Sequence, residues 1–210
     1  MTRLGFYLAR LLRDETGMAG LGLPMAAVFS QMQGDIALVG NAQSLAATES
    51  GAAIDAAHLV IRLNRAPMPD ARSHGTRTDV LACATSLKAT HLQKINPKLL
   101  LWMSPKRKRL SWAMASRKGF ALPPLDTYLR LKAQLSAPPT TGLMMIDLLA
   151  SSHATKITLY GFDFFASLSL SGHRTAAQVP HNFQAERAYV TALLARDSRI
   201  CLANPSALTE

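Results

Sequence analysis

Two successive short apolar runs, each followed by an asparagine, constrain the fold of this chain more than any other feature. The first, Ile36 to Val39, is continuous, β-branched at both ends, and passes into Gly40-Asn41. The second, His58-Leu-Val-Ile61, leads to Asn64 between Arg62 and Arg65 and stops at Pro67. Runs of this length without polar alternation read as strands covered on both faces, as in a parallel sheet. An open α/β sheet binds its ligands outside the carboxyl ends of its strands, so the polar residues at these two exits are candidate contacts. Glycine lets the backbone turn sharply and come close to a ligand, and asparagine offers a carbonyl acceptor and an amide donor pair. The bland reading of Asn41 and Asn64 is that of turn residues tolerating a left-handed backbone.

Further apolar runs predict strands near residues 36–40, 58–63, 79–83, 98–103, 156–160 and 199–202. Helical periodicity fills the gaps at about 85–94, 123–135, 141–151 and 181–196. Strands that alternate with helices imply crossover connections and a mostly parallel, twisted sheet. The expected fold is therefore α/β and Rossmann-like, with helices flanking the sheet in one domain, the default for 210 residues. Ahead of it, Leu4, Leu8 and Leu11 stand at helical spacing among Arg3, Arg10 and Arg13, which predicts an amphipathic helix rather than a cleaved signal. Residues 17–34, rich in Gly and Met, read as a linker or lid; Gly20-Leu-Gly22 there has no strand before it and is discounted as a dinucleotide fingerprint.

Three stretches, taken in order and spacing, resemble glycosyltransferase family 29, the sialyltransferases. Ile36 to Thr78, with Val39-Gly-Asn41, Val60-Ile-Arg-Leu-Asn-Arg-Ala-Pro67 and Gly75-Thr-Arg-Thr78, is similar to that family's long donor-binding motif. Pro139-Thr-Thr-Gly142, continuing to Tyr160-Gly-Phe162, resembles its short motif, and His181-Asn-Phe-Gln-Ala-Glu186 its very short one. The resemblance covers about residue 35 to the C-terminus, and implies residues 1–34 as N-terminal helix and linker and residues 35–210 as a glycosyltransferase domain. It implies an inverting, metal-independent transfer of an acidic 2-keto sugar, sialic acid or Kdo, from a CMP-sugar donor to a glycan or glycolipid acceptor hydroxyl. No cofactor is implied, and the chain contains no Asp-x-Asp pair of the kind other nucleotide-sugar transferases use to hold a divalent ion.

Such a transfer needs a base for the acceptor proton and charge relief on the departing phosphate. His181, after Pro180 at an expected helix start, is the candidate general base; the positive end of the helix dipole disfavours the imidazolium. His173 falls where the family carries a donor-phosphate histidine, although the aromatic residues usual beside it are missing, and a surface-loop histidine is the competing reading. Arg174 beside it offers a planar, bidentate fork for phosphate. Thr140, Thr141 and Gly142 open an apolar helix and form a candidate anion site, or a simple N-cap, or both. Asn41, Asn64 and Ser44 are the candidate ribose and cytosine contacts. Asp163 is an open candidate for acceptor contact, and Glu186 reads equally as a substrate contact or an ordering residue.

The net charge of +10 calls for an acidic partner, and charge alone does not choose among nucleic acid, anionic lipid and nucleotide sugar. Lys106-Arg-Lys-Arg109, near Trp102 and Trp112, reads first as a solvated face and next as an anionic membrane patch; without a reader motif, nucleic acid ranks last and is not expected as a partner. No stretch approaches the roughly 20 apolar residues of a membrane span. A cytoplasmic enzyme, peripheral on the inner face of a membrane, is the expectation; animal family members carry an anchor instead. Those members also join the long and short motifs by a disulfide, and the positions that align with it here are Ile36 and Ala154, so packing must do that work. Cys83 and Cys201 read as small buried hydrophobes. Oligomeric state is not legible. A nucleotide-sugar binder without turnover and a basic membrane-surface binding protein stay open as alternatives.

Overall fold

The computed structural model describes residues 2–163 and 180–204. Among the described residues, seven parallel strands form one sheet: β1 (Gln33–Val39), β2 (Leu59–Leu63), β3 (Val80–Cys83), β4 (Leu99–Trp102), β5 (Phe120–Ala121), β6 (His153–Tyr160) and β7 (Ile200–Leu202), in the spatial order β5-β4-β3-β2-β1-β6-β7. The chain moves outward from β1 to β5, then returns to lay β6 along the other side of β1. That reversal makes the carboxyl ends of β1 and β6 a topological switch point, the place where open α/β sheets carry their ligand crevice.

Strand side chains alternate between two covered layers, which is why the strands read as unbroken apolar runs. Ile36, Leu38, Ile61, Leu63, Val80, Ala82, Leu99 and Leu101 point into one core with α3 (Met25–Gln31), α8 (Leu125–Leu135), α9 (Thr141–Ala150) and α10 (Phe183–Arg196). On the other face, Leu81, Cys83, Leu100, Trp102 and Phe120 meet α1 (Arg3–Leu12), α2 (Glu15–Ala19), α6 (Ala89–Ile95) and α7 (Trp112–Ala115). Ala37, Val39 and Val60 share that second face with Leu45 and with Ile54 of α4 (Gly51–Ala56). α9 is buried on all sides except at its last residue, as befits a helix apolar all round.

The segment expected to be a loose linker carries two short helices. Met18 of α2 and Val28 of α3 are completely buried, one in each core, and Leu23 N–H donates to Phe120 O at 2.7 Å. Both helices are too short to show a periodicity of their own; burial of a few side chains fixes them. Between β2 and β3 runs a further turn of helix, α5 (Ala71–His74).

The long-motif and short-motif segments are joined as a ladder, with β1 paired to β6 from Gln33↔His153 to Val39↔Tyr160, so that Ile36 pairs with Ile157 and Gly34 with Ala154. Both cysteines are free. Cys83 is sealed in the core, where burial pushes its thiol up to about 12; Cys201 is half-buried, with Thr158 Oγ1 3.5 Å from its Sγ. The Lys106–Arg109 run is solvated only in part. Arg107 is buried: its Nε donates to Glu15 at 3.0 Å, and its other nitrogens to the carbonyls of Ser104 and Pro123. Trp102 lies wholly in the core and is no surface anchor.

Candidate functional site

The exits of β1 and β6 meet without side chains between them. A Cβ on Gly40 would stand 2.3 Å from Gly161 O, and Gly40 N–H donates to Tyr160 O at 2.8 Å. Gly161 itself takes φ +64°, a left-handed conformation that glycine adopts at little cost. This close approach leaves Asn41 at the rim of the crevice. Its Nδ2 donates to Leu63 O at 3.3 Å and so ties the β1 exit to that of β2.

Asn64 continues the same edge. Its backbone is left-handed, φ 56°, its N–H donates to Ala82 O, and its Oδ1 accepts from Ala84 N–H at 2.9 Å. The turn reading of Asn64 therefore holds, and its side-chain carbonyl is committed to the β3 exit. Arg62, one of the two arginines beside it, points away from this edge. Its guanidinium is 1% exposed, donates to the carbonyls of Arg77 and His74, and is lowered to about 10 chiefly by burial. Arg77 in turn donates to Asp55 O, Ala57 O and Asp79, so the Gly75–Asp79 stretch braces α4 against the start of β3.

Ser44, in the 3-10 turn Gln43–Ala47, donates to Asp163 Oδ2 at 3.0 Å, which draws the segment after β1 to the segment after β6. Phe162 lies between them and the start of α9: a Cβ on Gly142 would meet its ring at 2.9 Å and the Leu63 side chain at 3.6 Å. Gly142 is thus required by the close passage of α9 over the exits of β2 and β6. The hydroxyl of Thr140 caps α9 by accepting from Leu143 N–H at 3.1 Å.

α10 grips that corner at two points. Both Glu186 oxygens accept from Thr140, one from its N–H and one from its hydroxyl, each at 2.7 Å. Glu186 is 3% exposed, and burial pushes its carboxyl up to about 7 against the opposing pull of the two Thr140 bonds. The carboxylate thus already occupies the Thr140 donors that were expected to face an anion. Only Thr141 and Gly142 remain as backbone donors at the helix start. Five positions earlier, His181 Nδ1 lies 2.8 Å from Pro138 O. A carbonyl only accepts, so Nδ1 carries the proton and, in the neutral ring, the lone pair sits on Nε2. Asn182 caps α10 by accepting from Ala185 N–H.

Asn41, Ser44, Asn64, Thr140, Thr141, Gly142, His181 and Glu186 accordingly lie along one strip of contacts at the carboxyl edge of β1, β2 and β6. His173 and Arg174 fall outside the described residues. One cluster around the buried Asp147 was not legible in the sequence: Asp147 on α9 accepts from the exposed Arg130 at 2.5 Å and from the half-buried Tyr189 OH at 2.6 Å, which ties α8, α9 and α10 together. An acidic residue in an otherwise apolar helix was the available signal.

Residues 30–122 match the model of glycosyltransferase family 29 (sialyltransferase). Over that stretch, 93 of its 210 residues, the chain is sialyltransferase-like. The family match takes in the whole long motif from β1 to the start of β3. Among curated proteins none matches this chain. Solved structures share its fold: a mammalian sialyltransferase in complex with Gal-beta-1-3GalNAc-ortho-nitrophenol is 16% identical, with TM-score 0.55 over 81% of this chain and 68% of that one. The sialyltransferase CstII from Campylobacter jejuni, in complex with cytidine-5'-monophosphate, is 15% identical, with TM-score 0.57 over 85% of this chain and 83% of that one. CstII with trisaccharide acceptor and CMP gives TM-score 0.53 at 15% identity over 83% and 82% of the two chains.

Proposed function

We propose that this chain is a family 29 enzyme and transfers an acidic 2-keto sugar, sialic acid or Kdo, from a CMP-linked donor to a hydroxyl of a glycan or glycolipid acceptor, with inversion and without a metal. The observation that carries the reading is the fixed tautomer of His181: with Nδ1–H held by Pro138 O, the Nε2 lone pair is the base. Cst-II structures that share the fold include complexes with CMP, one of which also holds a trisaccharide acceptor.

The reaction in this reading is one displacement. The acceptor hydroxyl gives its proton to His181 Nε2 as its oxygen forms the bond to the anomeric carbon. The bond from that carbon to the phosphate oxygen breaks, and CMP departs with the electron pair. Asn41, Asn64 and Ser44 hold ribose and cytosine; the backbone N–H groups of Thr141 and Gly142 face the phosphate at the start of α9. His173 and Arg174 relieve the charge that grows there. Glu186, closed in behind Thr140, acts on the donor by positioning the α9 corner. Residues 35–210 form the transferase unit; of the segment before it, α1 and α2 brace the β3–β5 face, while α3 packs in the opposite core.

Incubation with CMP-sialic acid and with CMP-Kdo, each with an acceptor glycan and a chelator, tests this by the release of CMP. Release from at least one donor in the presence of chelator is expected. CMP binding with no release from either donor would reduce the chain to a binder, and release that strictly requires a divalent ion would overturn the metal-free reading.

A further inference from the structure

Helix α1 is apolar on two opposite sides, and only one of them is covered. Phe6 and Ala9 are buried against the β3–β5 face of the sheet, together with Met18, Trp102 and Phe120. At about 100° per residue, Leu4, Leu8 and Leu11 fall within an arc of about 60° on the far side, with Leu12 and Tyr7 flanking it. These side chains stand in solvent: Leu4 is 70% exposed, Leu8 50%, Leu11 77% and Leu12 75%. Among the described residues, six large hydrophobic side chains are exposed, and five of them belong to this one helix. A single exposed leucine needs no explanation, whereas a contiguous row of them marks a contact surface.

The charge around the row selects the partner. α1 contains Arg3 and Arg10 and no acidic residue, and Arg13 follows as its C-cap. Arg10 stacks over Tyr7 at 4.9 Å and donates to Leu110 O at 2.9 Å, which fastens the helix to the exposed Lys106, Lys108 and Arg109. The two acids that come next are already engaged: Asp14 caps α2 by accepting from Gly17 N–H, and Glu15 pairs with buried Arg107. An exposed leucine row with a basic rim complements a bilayer with anionic headgroups, which attract Lys and Arg held near the surface. Ten residues of helix reach about 15 Å, half a hydrocarbon core, so α1 lies in the interface and does not cross it.

We propose that the exposed face of α1, with the basic turn Lys106–Arg109 beside it, docks the enzyme on an anionic phospholipid membrane. Flotation of the full chain with phosphatidylcholine vesicles, with and without phosphatidylglycerol, tests this. Binding to the phosphatidylglycerol vesicles alone is expected, falling as salt rises. The double variant Leu8→Glu, Leu11→Glu should weaken it at least about tenfold, and Lys106→Gln, Lys108→Gln, Arg109→Gln should weaken it while leaving binding to neutral vesicles at background. Both variants change exposed side chains, and unaltered far-UV circular dichroism and thermal midpoint would show that they fold. Equal binding to neutral vesicles, or none to either, would overturn the proposal. So would a dimer in light scattering that the leucine variant dissolves, which would make the face a contact between copies, or a tight nucleic-acid complex that depends on the basic turn but not on the leucines.

Discussion

The Glu186 carboxyl ties the fold of the site to pH in a way that one substitution isolates. Burial raises it from its ordinary 4.5 to about 7, and Thr140 is its partner at both oxygens. A carboxyl raised on folding favours the folded state while protonated. Its contribution is fully present below about pH 4.5 and is lost as pH rises through about 7. At about 1.4 kcal/mol per pH unit, that interval of about 2.5 corresponds to about 3 kcal/mol. Glu186→Gln keeps an acceptor for Thr140 N–H and cannot titrate. Urea denaturation of both proteins from pH 4.5 to about 8 should show wild type losing up to about 3 kcal/mol relative to Glu186→Gln. The histidines and all other acids are common to the pair and cancel in the difference. A difference that does not change with pH, or one in which wild type gains with rising pH, would refute the argument, because the Thr140 bonds would then outweigh burial.

Other substitutions read separate parts of the same edge. Gly40→Ala brings a Cβ against Gly161 O, where the backbone must give, and should cost about 1–3 kcal/mol in denaturation and abolish donor binding measured by calorimetry. Asn64→Ala loses the cap on Ala84 N–H in a left-handed backbone and should cost about 1–3 kcal/mol; Asn64→Gly should recover part of that stability without recovering affinity for CMP. Asp147→Leu leaves the half-buried Tyr189 hydroxyl and the exposed Arg130 without their acceptor, and should lower stability by about 1–2 kcal/mol while the affinity for CMP stays within about twofold.

The sheet was legible because its inner strands are covered on both faces: Ile36–Val39, Val60–Ile61 and Val80–Cys83 contain only apolar residues, and their exits are marked by Gly40, Asn41 and Asn64. β5 was missed, since two residues, Phe120 and Ala121, leave no pattern, and the helix expected from residue 85 begins at Ala89. α2 and α3 were missed because the burial of Met18 and Val28, not a repeating pattern, fixes them. In the site, the candidate residues could be named one by one, but the division of labour between them could not. That Glu186 holds Thr140, and that Pro138 O sets the His181 tautomer, are contacts across more than forty residues that depend on how α10 docks against the start of α9. Arg62 shows another limit: the sequence places it only beside Asn64, and packing turns it inward to support the loop before β3.

The central claim is that a nucleotide held at the exits of β1, β2 and β6 faces the Nε2 of His181. The most direct measurement takes His181→Ala and wild type side by side, with calorimetric affinity for CMP and the rate of sugar transfer from the CMP-linked donor read on the same preparations. The account predicts CMP affinity within about twofold of wild type and a rate lower by about 10²–10⁴-fold, the contribution of a positioned general base. Transfer by His181→Ala at the wild-type rate would contradict it.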